Sequence, residues 1–125
     1  MILERINEAL SSEKSFFSDF KIAASLGLSF LINIIHWLFL LSKIKIGSDK
    51  ILLHYNVVYG PDFVEKSYYI LVIPLLAFLS LILNIILSRF FYRREKMAAY
   101  FLNIASVAVQ VVFLVATITL ILANE

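Results

Sequence analysis

The sequence has little of what a soluble domain needs. Charged residues make up 16% of the 125 residues and hydrophobic residues 62%, whereas soluble domains contain about 25% charged residues. Cysteine is absent, which excludes disulfide bonds, thiolate metal sites and cysteine nucleophiles. The net charge of +2 is too small to indicate nucleic-acid binding, and the apolar content excludes disorder. Together these shortages indicate a small integral membrane protein.

Three stretches are long and apolar enough to cross a bilayer, which takes about 20 mostly apolar residues. We predict transmembrane helices over residues 22–42, 68–88 and 97–123, none of which contains Asp, Glu, Lys or Arg. The first is expected to be a retained anchor and not a signal peptide, because no small-x-small cleavage pattern follows it. The predicted fold is therefore all-α, a single membrane domain over residues 1–125.

The distribution of Lys and Arg beside these helices predicts their orientation. One side of the membrane would hold seven basic residues and the other side four. The seven are Arg5, Lys14, Lys21, Arg89, Arg93, Arg94 and Lys96. The four are Lys43, Lys45, Lys50 and Lys66. This bias predicts a cytoplasmic N-terminus and an external C-terminus. It also predicts that the basic connection 89–96 is cytoplasmic and faces anionic lipid headgroups, and that the loop 43–67 is external.

The N-terminal segment 1–21 begins with an amphipathic pattern. Ile2, Ile6 and Leu10 are spaced by four residues, which predicts one apolar stripe on a short helix. Ser11 and Ser12 are expected to interrupt it. We expect this helix to lie on the lipid headgroups and orient the first transmembrane helix, with membrane sensing or partner binding as the alternative.

The loop 43–67 contains the densest group of hydrogen-bonding side chains. We expect a turn near residues 47–50, and we expect Gly60 and Pro61 to end any strand. His54, Asn56 and Asp62 supply one imidazole and one carboxylate, too few for the three or four ligands that zinc prefers. The sequence therefore predicts no catalytic, metal or cofactor site.

We expect instead that these three residues order the loop, with Asn56 and Asp62 bonding nearby backbone and Asp62 capping a turn before the second transmembrane helix. Partner recognition is the alternative role.

The loop also resembles a family of small bacterial membrane proteins of unknown function. The pattern is His54-Tyr55-Asn56 followed by Gly60 and Pro61-Asp62. Lys66 and Ile73-Pro74-Leu75 follow at suitable positions. Leu52 stands where the family has Pro, and Gly60 lies one residue late. The family includes immunity proteins against the sporulation-delay toxin, and the chain is most similar to uncharacterised three-helix members from reduced-genome bacteria. The resemblance implies a membrane location and no known reaction.

Neutral polar residues recur at helical spacing inside all three predicted transmembrane helices. They are Ser25, Ser29 and Asn33, then Ser80, Asn84 and Ser88, then Asn103, Ser106 and Gln110. Lipid offers no hydrogen-bond partner, so these stripes are expected to face other helices, with a water-filled pore as the alternative. We predict that the Asn84 and Asn103 amides meet.

Four more residues of these helices have predicted structural roles. Ala23 and Gly27 are expected to allow close helix approach. His36, beside Trp37, is expected to pack or lie at the interface, and Pro74 to kink the second helix or fit its first turn.

These observations predict a non-enzymatic accessory or immunity-type protein that binds another membrane protein or peptide. The lipid bilayer and a second copy of the chain are further possible partners. The alternative is a small oligomeric channel or transporter, which would need the polar stripes to line a path. A phage-type holin is a weaker alternative, because its usual charged C-terminal tail is expected to be missing where the sequence ends at Asn124-Glu125.

Overall fold

The computed structural model describes the backbone of residues 1–44, 50–56 and 60–123, and the side chains of residues 1–44 and 69–123. Over this part of the chain, four α-helices and one two-stranded antiparallel sheet form. In chain order these are α1 (Ile2–Ser18), α2 (Phe20–Lys43), β1 (Lys50–Asn56), β2 (Gly60–Lys66), α3 (Val72–Tyr92) and α4 (Lys96–Ala123). A 3₁₀ turn, Ser67–Leu71, leads into α3. The predicted helical architecture is confirmed, and the sheet is an addition to the predicted all-α class.

Three helical segments of the described chain are long and apolar enough to span a membrane: Phe20–Lys43, Tyr69–Tyr92 and Lys96–Ala123. They coincide with the three predicted transmembrane segments. However, α3 continues to Tyr92, so the predicted connection 89–96 contracts to residues 93–95. The turn is tight because the Phe91 carbonyl accepts hydrogen bonds from both Arg94 N (2.9 Å) and Glu95 N (2.7 Å).

The N-terminal helix is longer than predicted. It passes through Ser11 and Ser12 without interruption, and Ser11 Oγ donates a hydrogen bond to the Glu8 carbonyl of its own helix at 2.9 Å. Asp19 separates α1 from α2 with extended backbone angles (φ −67°, ψ 119°). Its carboxylate accepts a hydrogen bond from Lys21 N at 3.0 Å, which caps the first turn of α2.

One face of each long helix is buried in the bundle. In α2 the buried residues are Ile22, Leu26, Ser29, Asn33, His36 and Leu40. In α4 they are Ala99, Asn103, Ser106, Gln110 and Thr117. Each set advances by three or four residues at most steps, the period of a single helix face. The opposite faces carry exposed large apolar side chains such as Leu31, Leu83 and Val112, as expected for helices surrounded by lipid.

The loop between α2 and α3 contains a β-hairpin. Its register runs from Lys50↔Lys66 to Asn56↔Gly60, with irregular pairing on both sides of His54. Gly60 and Pro61 begin β2, so the prediction that they end a strand is wrong. Pro61 is tolerated because both strands of a two-stranded sheet are edge strands, where a missing N–H costs little. The turn predicted at residues 47–50 lies mostly outside the described residues.

Candidate functional site

A line of buried polar side chains runs through the bundle where α2, α3 and α4 meet. Its members, here called the polar seam, are Ser29, Asn33, His36, Ser88, Asn103, Ser106, Gln110 and Thr117. None is more than 4% exposed. The prediction that the polar stripes face other helices therefore holds for Ser29, Asn33, Ser88, Asn103, Ser106 and Gln110, whereas Ser80 and Asn84 are only partly buried.

One amide pair joins all three long helices. Asn33 Nδ2 donates to Gln110 Oε1 at 3.0 Å and to the Pro74 carbonyl at 3.4 Å. Gln110 Nε2 donates in turn to the Ala77 carbonyl at 2.7 Å. Pro74 is the third residue of α3, in the first turn as predicted. The pair thus connects α2 and α4 through side chains and fixes both helices to the α3 backbone.

His36 extends the seam towards the ends of α2 and α4. Its Nε2 lies 2.7 Å from Thr117 Oγ1, and both side chains are fully buried. Packing, one of the two expected roles for His36, is what the structure shows. Thr117 was not predicted, although it follows Gln110 by two turns on the same face. Because both side chains are fully buried, this pair forms a contact between α2 and α4.

The predicted pairing of Asn84 with Asn103 is wrong. Asn103 Nδ2 donates to Ser88 Oγ and to the Ala99 carbonyl (2.8 Å), and Ser88 Oγ donates to the same carbonyl at 3.2 Å. A step of four residues turns about 40° beyond a full helical turn. Asn84 is therefore rotated off the face that Ser88 presents to α4, and Ile85 packs into the core there.

Three other predicted residues, Ala23, Ser25 and Gly27, also lie off the buried face of α2. Ser25 is only partly buried and bonds the carbonyls of Lys21 and Ile22 in its own helix. Ala23 and Gly27 are exposed, and a Cβ added at Gly27 would meet nothing within 4 Å. The prediction that these two small residues bring helices of this chain together is therefore wrong.

A second polar cluster joins α1 to the bundle. The Asp19 carboxylate accepts hydrogen bonds from Tyr100 (2.5 Å) and Tyr92 (3.0 Å). These bonds, above all the one from Tyr100, lower the pKa of Asp19 below its ordinary value. Phe16 is buried beside the cluster, with its ring edge-on to Tyr92 at a centroid distance of 5.3 Å. The helix boundary at Asp19 is thus held by residues of α3 and α4.

The predicted lipid-facing basic residues divide into two groups. Arg89 forms an ion pair with Glu13, and Arg93 bonds Ser12 Oγ (2.5 Å) and the Glu8 carbonyl, so both bind α1. Arg94 and Lys96 are exposed and lie over aromatic rings, Arg94 over Phe90 at 4.7 Å and Lys96 over Tyr92 at 5.3 Å. The headgroup role of all four stays a prediction.

The loop residues singled out in the sequence are placed by their backbone. His54, Tyr55 and Asn56 form the end of β1, and Gly60 and Asp62 lie in β2. Asp62 therefore does not cap a turn before α3. The segment that immediately precedes α3 is the 3₁₀ turn Ser67–Leu71. The side chains of His54, Asn56 and Asp62 lie outside the described side chains, so their expected hydrogen bonds stay a prediction.

No group of three or more His, Cys, Asp or Glu residues able to hold a metal ion occurs among the described side chains. The contacts of the seam are hydrogen bonds among amide, hydroxyl and imidazole groups. Comparisons with protein-family models, with curated proteins and with solved structures find no match for this chain.

Proposed function

We propose that this protein is a non-enzymatic, multi-pass membrane protein that binds another membrane protein or peptide through its β-hairpin. The observation that carries the proposal is the hairpin itself, a two-stranded sheet attached to an apolar helical bundle, with no third strand paired to it among the described residues. The proposed orientation follows the basic-residue bias, with α1 and residues 93–95 cytoplasmic and the hairpin external.

The outer faces of the three long helices α2, α3 and α4 leave few polar groups for a partner. The seam amides of Asn33 and Gln110 are used within one chain, and the outer faces present apolar side chains such as Leu38 and Ile86. A bundle of this kind supports a recognition element and does not itself supply one.

The hairpin has the features of a peptide-binding edge. In the part of the chain that the structure describes, no third strand pairs with β1 or β2. A two-stranded sheet is marginally stable in water, and a third strand supplies backbone hydrogen bonds that it lacks. Strand addition to a free edge is a common way of binding extended peptides. An accessory or immunity-type protein that captures a partner segment fits this arrangement.

The alternative of a small oligomeric channel or transporter loses its main support. It needs polar stripes on surfaces that face a path between copies of the chain. Here Asn103, Ser106 and Gln110 are buried within one copy. A flux assay on purified protein in liposomes tests this alternative, and the proposal predicts no conductance above that of empty vesicles.

A photoreactive amino acid at Glu65 in β2 tests partner binding in native membranes. The matched control is the same amino acid at Leu83, which is 55% exposed on the outer face of α3. The proposal predicts a crosslinked protein of defined mass at position 65 and lipid adducts alone at position 83. Absence of a protein adduct at Glu65 and at other hairpin positions would contradict it.

A further inference from the structure

We infer that the groove between α2 and α4 binds the acyl chain of an anionic phospholipid, with Lys21 paired to the phosphate. The groove has a volume of about 540 Å³, and its walls include Ala24 and Leu28 of α2 and Ile104 and Ala108 of α4. The inference rests on the proposed function, because it requires both helices to lie in a membrane.

Small residues of both helices form part of the groove wall. Ala24 and Ser25 of α2 and Ala108 of α4 are among its lining residues, where larger side chains would fill the space. Lys21 to Leu28 covers about 10 Å along the helix axis, roughly a third of the hydrocarbon layer. A hollow of this length suits one segment of a single acyl chain.

The wall of the groove is apolar, although Ser25 is part of it. The Ser25 hydroxyl bonds the Lys21 carbonyl at 2.5 Å, so it offers no free donor to a ligand. Tyr100 is bonded through its hydroxyl to Asp19, which holds its ring at the end of the groove. The occupant must therefore be apolar along most of its length.

The polar end of the groove carries the Lys21 ammonium, and the nearby Asp19 carboxylate is occupied by hydrogen bonds from Tyr92, Tyr100 and the Lys21 backbone N–H. Lys21 is exposed, and its Nζ lies 5.0 Å from the centroid of the Tyr100 ring. No carboxylate within salt-bridge distance of Lys21 occurs among the described residues. Lys21 also lies immediately after the start of α2, where the predicted hydrocarbon layer ends. An apolar slot that ends in this ammonium at headgroup depth is complementary to an anionic phospholipid.

Photoactivatable lipids test this site in the full-length protein. The protein is reconstituted in two sets of phosphatidylcholine vesicles. One set contains a trace of photoactivatable phosphatidylglycerol and the other a trace of photoactivatable phosphatidylcholine, both with the same diazirine acyl chain. Adducts are mapped by mass spectrometry. We expect adducts concentrated at residues 24–28 and 104–108, and about fivefold more from phosphatidylglycerol, the factor typical of one lysine near a membrane surface.

Two pairs of variants separate the shape of the groove from its charge. Ala24→Trp fills the groove and should abolish the localised adducts, whereas Ala23→Trp, the same change on an exposed neighbouring face, should retain them. Lys21→Gln should reduce the preference for phosphatidylglycerol to about one, whereas Lys14→Gln should leave it unchanged. Equal effects within either pair, or adducts spread evenly over the outer helix faces, would overturn the inference.

An alkaline wash of the vesicles distinguishes the two proposals. If the protein is lost from the vesicles, the membrane-protein proposal fails and the lipid site fails with it. If the protein is retained and its adducts are evenly spread, the lipid site alone is wrong.

Discussion

At the scale of single residues, the stability of this bundle depends on how well neutral polar groups are paired in an apolar environment. Asn33 and Gln110 satisfy each other and two α3 carbonyls. Ser29 Oγ, His36 Nδ1, Asn103 Oδ1 and Ser106 Oγ are buried without a partner among the described residues. The seam therefore combines strongly paired positions with positions that contribute mainly close packing.

The first prediction concerns which amides are energetically coupled. Interhelical hydrogen bonds in membranes contribute about 0.6 kcal/mol on average and at most about 1.7 kcal/mol. We expect a double-mutant cycle of Asn33→Leu and Gln110→Leu, measured by unfolding in mixed micelles, to give a coupling free energy in this range. Asn84→Leu and Asn103→Leu form the control cycle and should be additive. Coupling in the control cycle, or additivity in the first, would contradict the observed contacts.

The second prediction concerns the titration of Asp19. Its pKa is lowered chiefly by the Tyr100 hydroxyl, so Tyr100→Phe should raise it towards the ordinary aspartate value of about 3.9. The stabilisation from this carboxylate is present above that value and is lost as the pH falls through the lowered pKa. Carbon-13 NMR of the Asp19 carboxyl carbon measures the midpoint directly. Tyr69→Phe, at the other end of the bundle, is the control, and an unchanged midpoint in Tyr100→Phe would refute the assignment.

At the scale of secondary-structure elements, α1 is the least embedded helix of the described chain. Most of its side chains are exposed, including the apolar stripe of Ile2, Ile6 and Leu10. It is attached at its C-terminal half, where Phe16 is buried and Glu13 pairs with Arg89. The stripe is thus free to lie on a membrane surface while the other end is fixed to α3.

The third prediction is that apolar packing holds α1 in place more strongly than charge does. Truncating a buried phenylalanine costs about 3–5 kcal/mol, whereas an exposed ion pair contributes about 0–1 kcal/mol. Phe16→Ala should therefore accelerate tryptic cleavage after Lys14 at least about tenfold, the factor that corresponds to 1.4 kcal/mol. Glu13→Gln should have a smaller effect.

The matched control for this experiment is Phe17→Ala, at the adjacent position. Phe17 is 51% exposed, so its removal should change the cleavage rate little. Faster cleavage in Glu13→Gln than in Phe16→Ala would mean that the ion pair dominates the attachment of α1.

The three long helices are predictable from the sequence because each has a long uncharged run, whereas α1 is indicated by the spacing of its apolar residues. The positions of the helix ends are less predictable. Beyond residue 88, α3 continues to Tyr92, and there Arg89 and Tyr92 make tertiary contacts with α1. The hairpin was missed because Gly60 and Pro61 were interpreted as strand breakers, although edge strands tolerate them. Local composition thus predicts which segments are helical, and tertiary contacts determine where the segments end.

At the scale of the whole molecule, α2 and α4 run parallel, with α3 antiparallel to both. The direction of α2 and α4 follows from their contacts. Asp19 meets Tyr100, Asn33 meets Gln110 and His36 meets Thr117, so the contacts occur in the same order along both segments. The polar face of α4 was predictable from the spacing of Asn103, Ser106 and Gln110. The partners of those residues were not, because they depend on the relative rotation of three helices.

The central claim is that the chain crosses the membrane three times, with the hairpin and the α3–α4 turn on opposite sides. The sequence contains no cysteine, so Glu65→Cys and Glu95→Cys each introduce a unique thiol. Labelling of intact cells with a membrane-impermeant maleimide tests the claim most directly. We predict that position 65 is labelled in intact cells and that position 95 is labelled only after permeabilisation. Equal labelling of both positions in intact cells would contradict the account, and labelling of position 95 alone would reverse the proposed orientation.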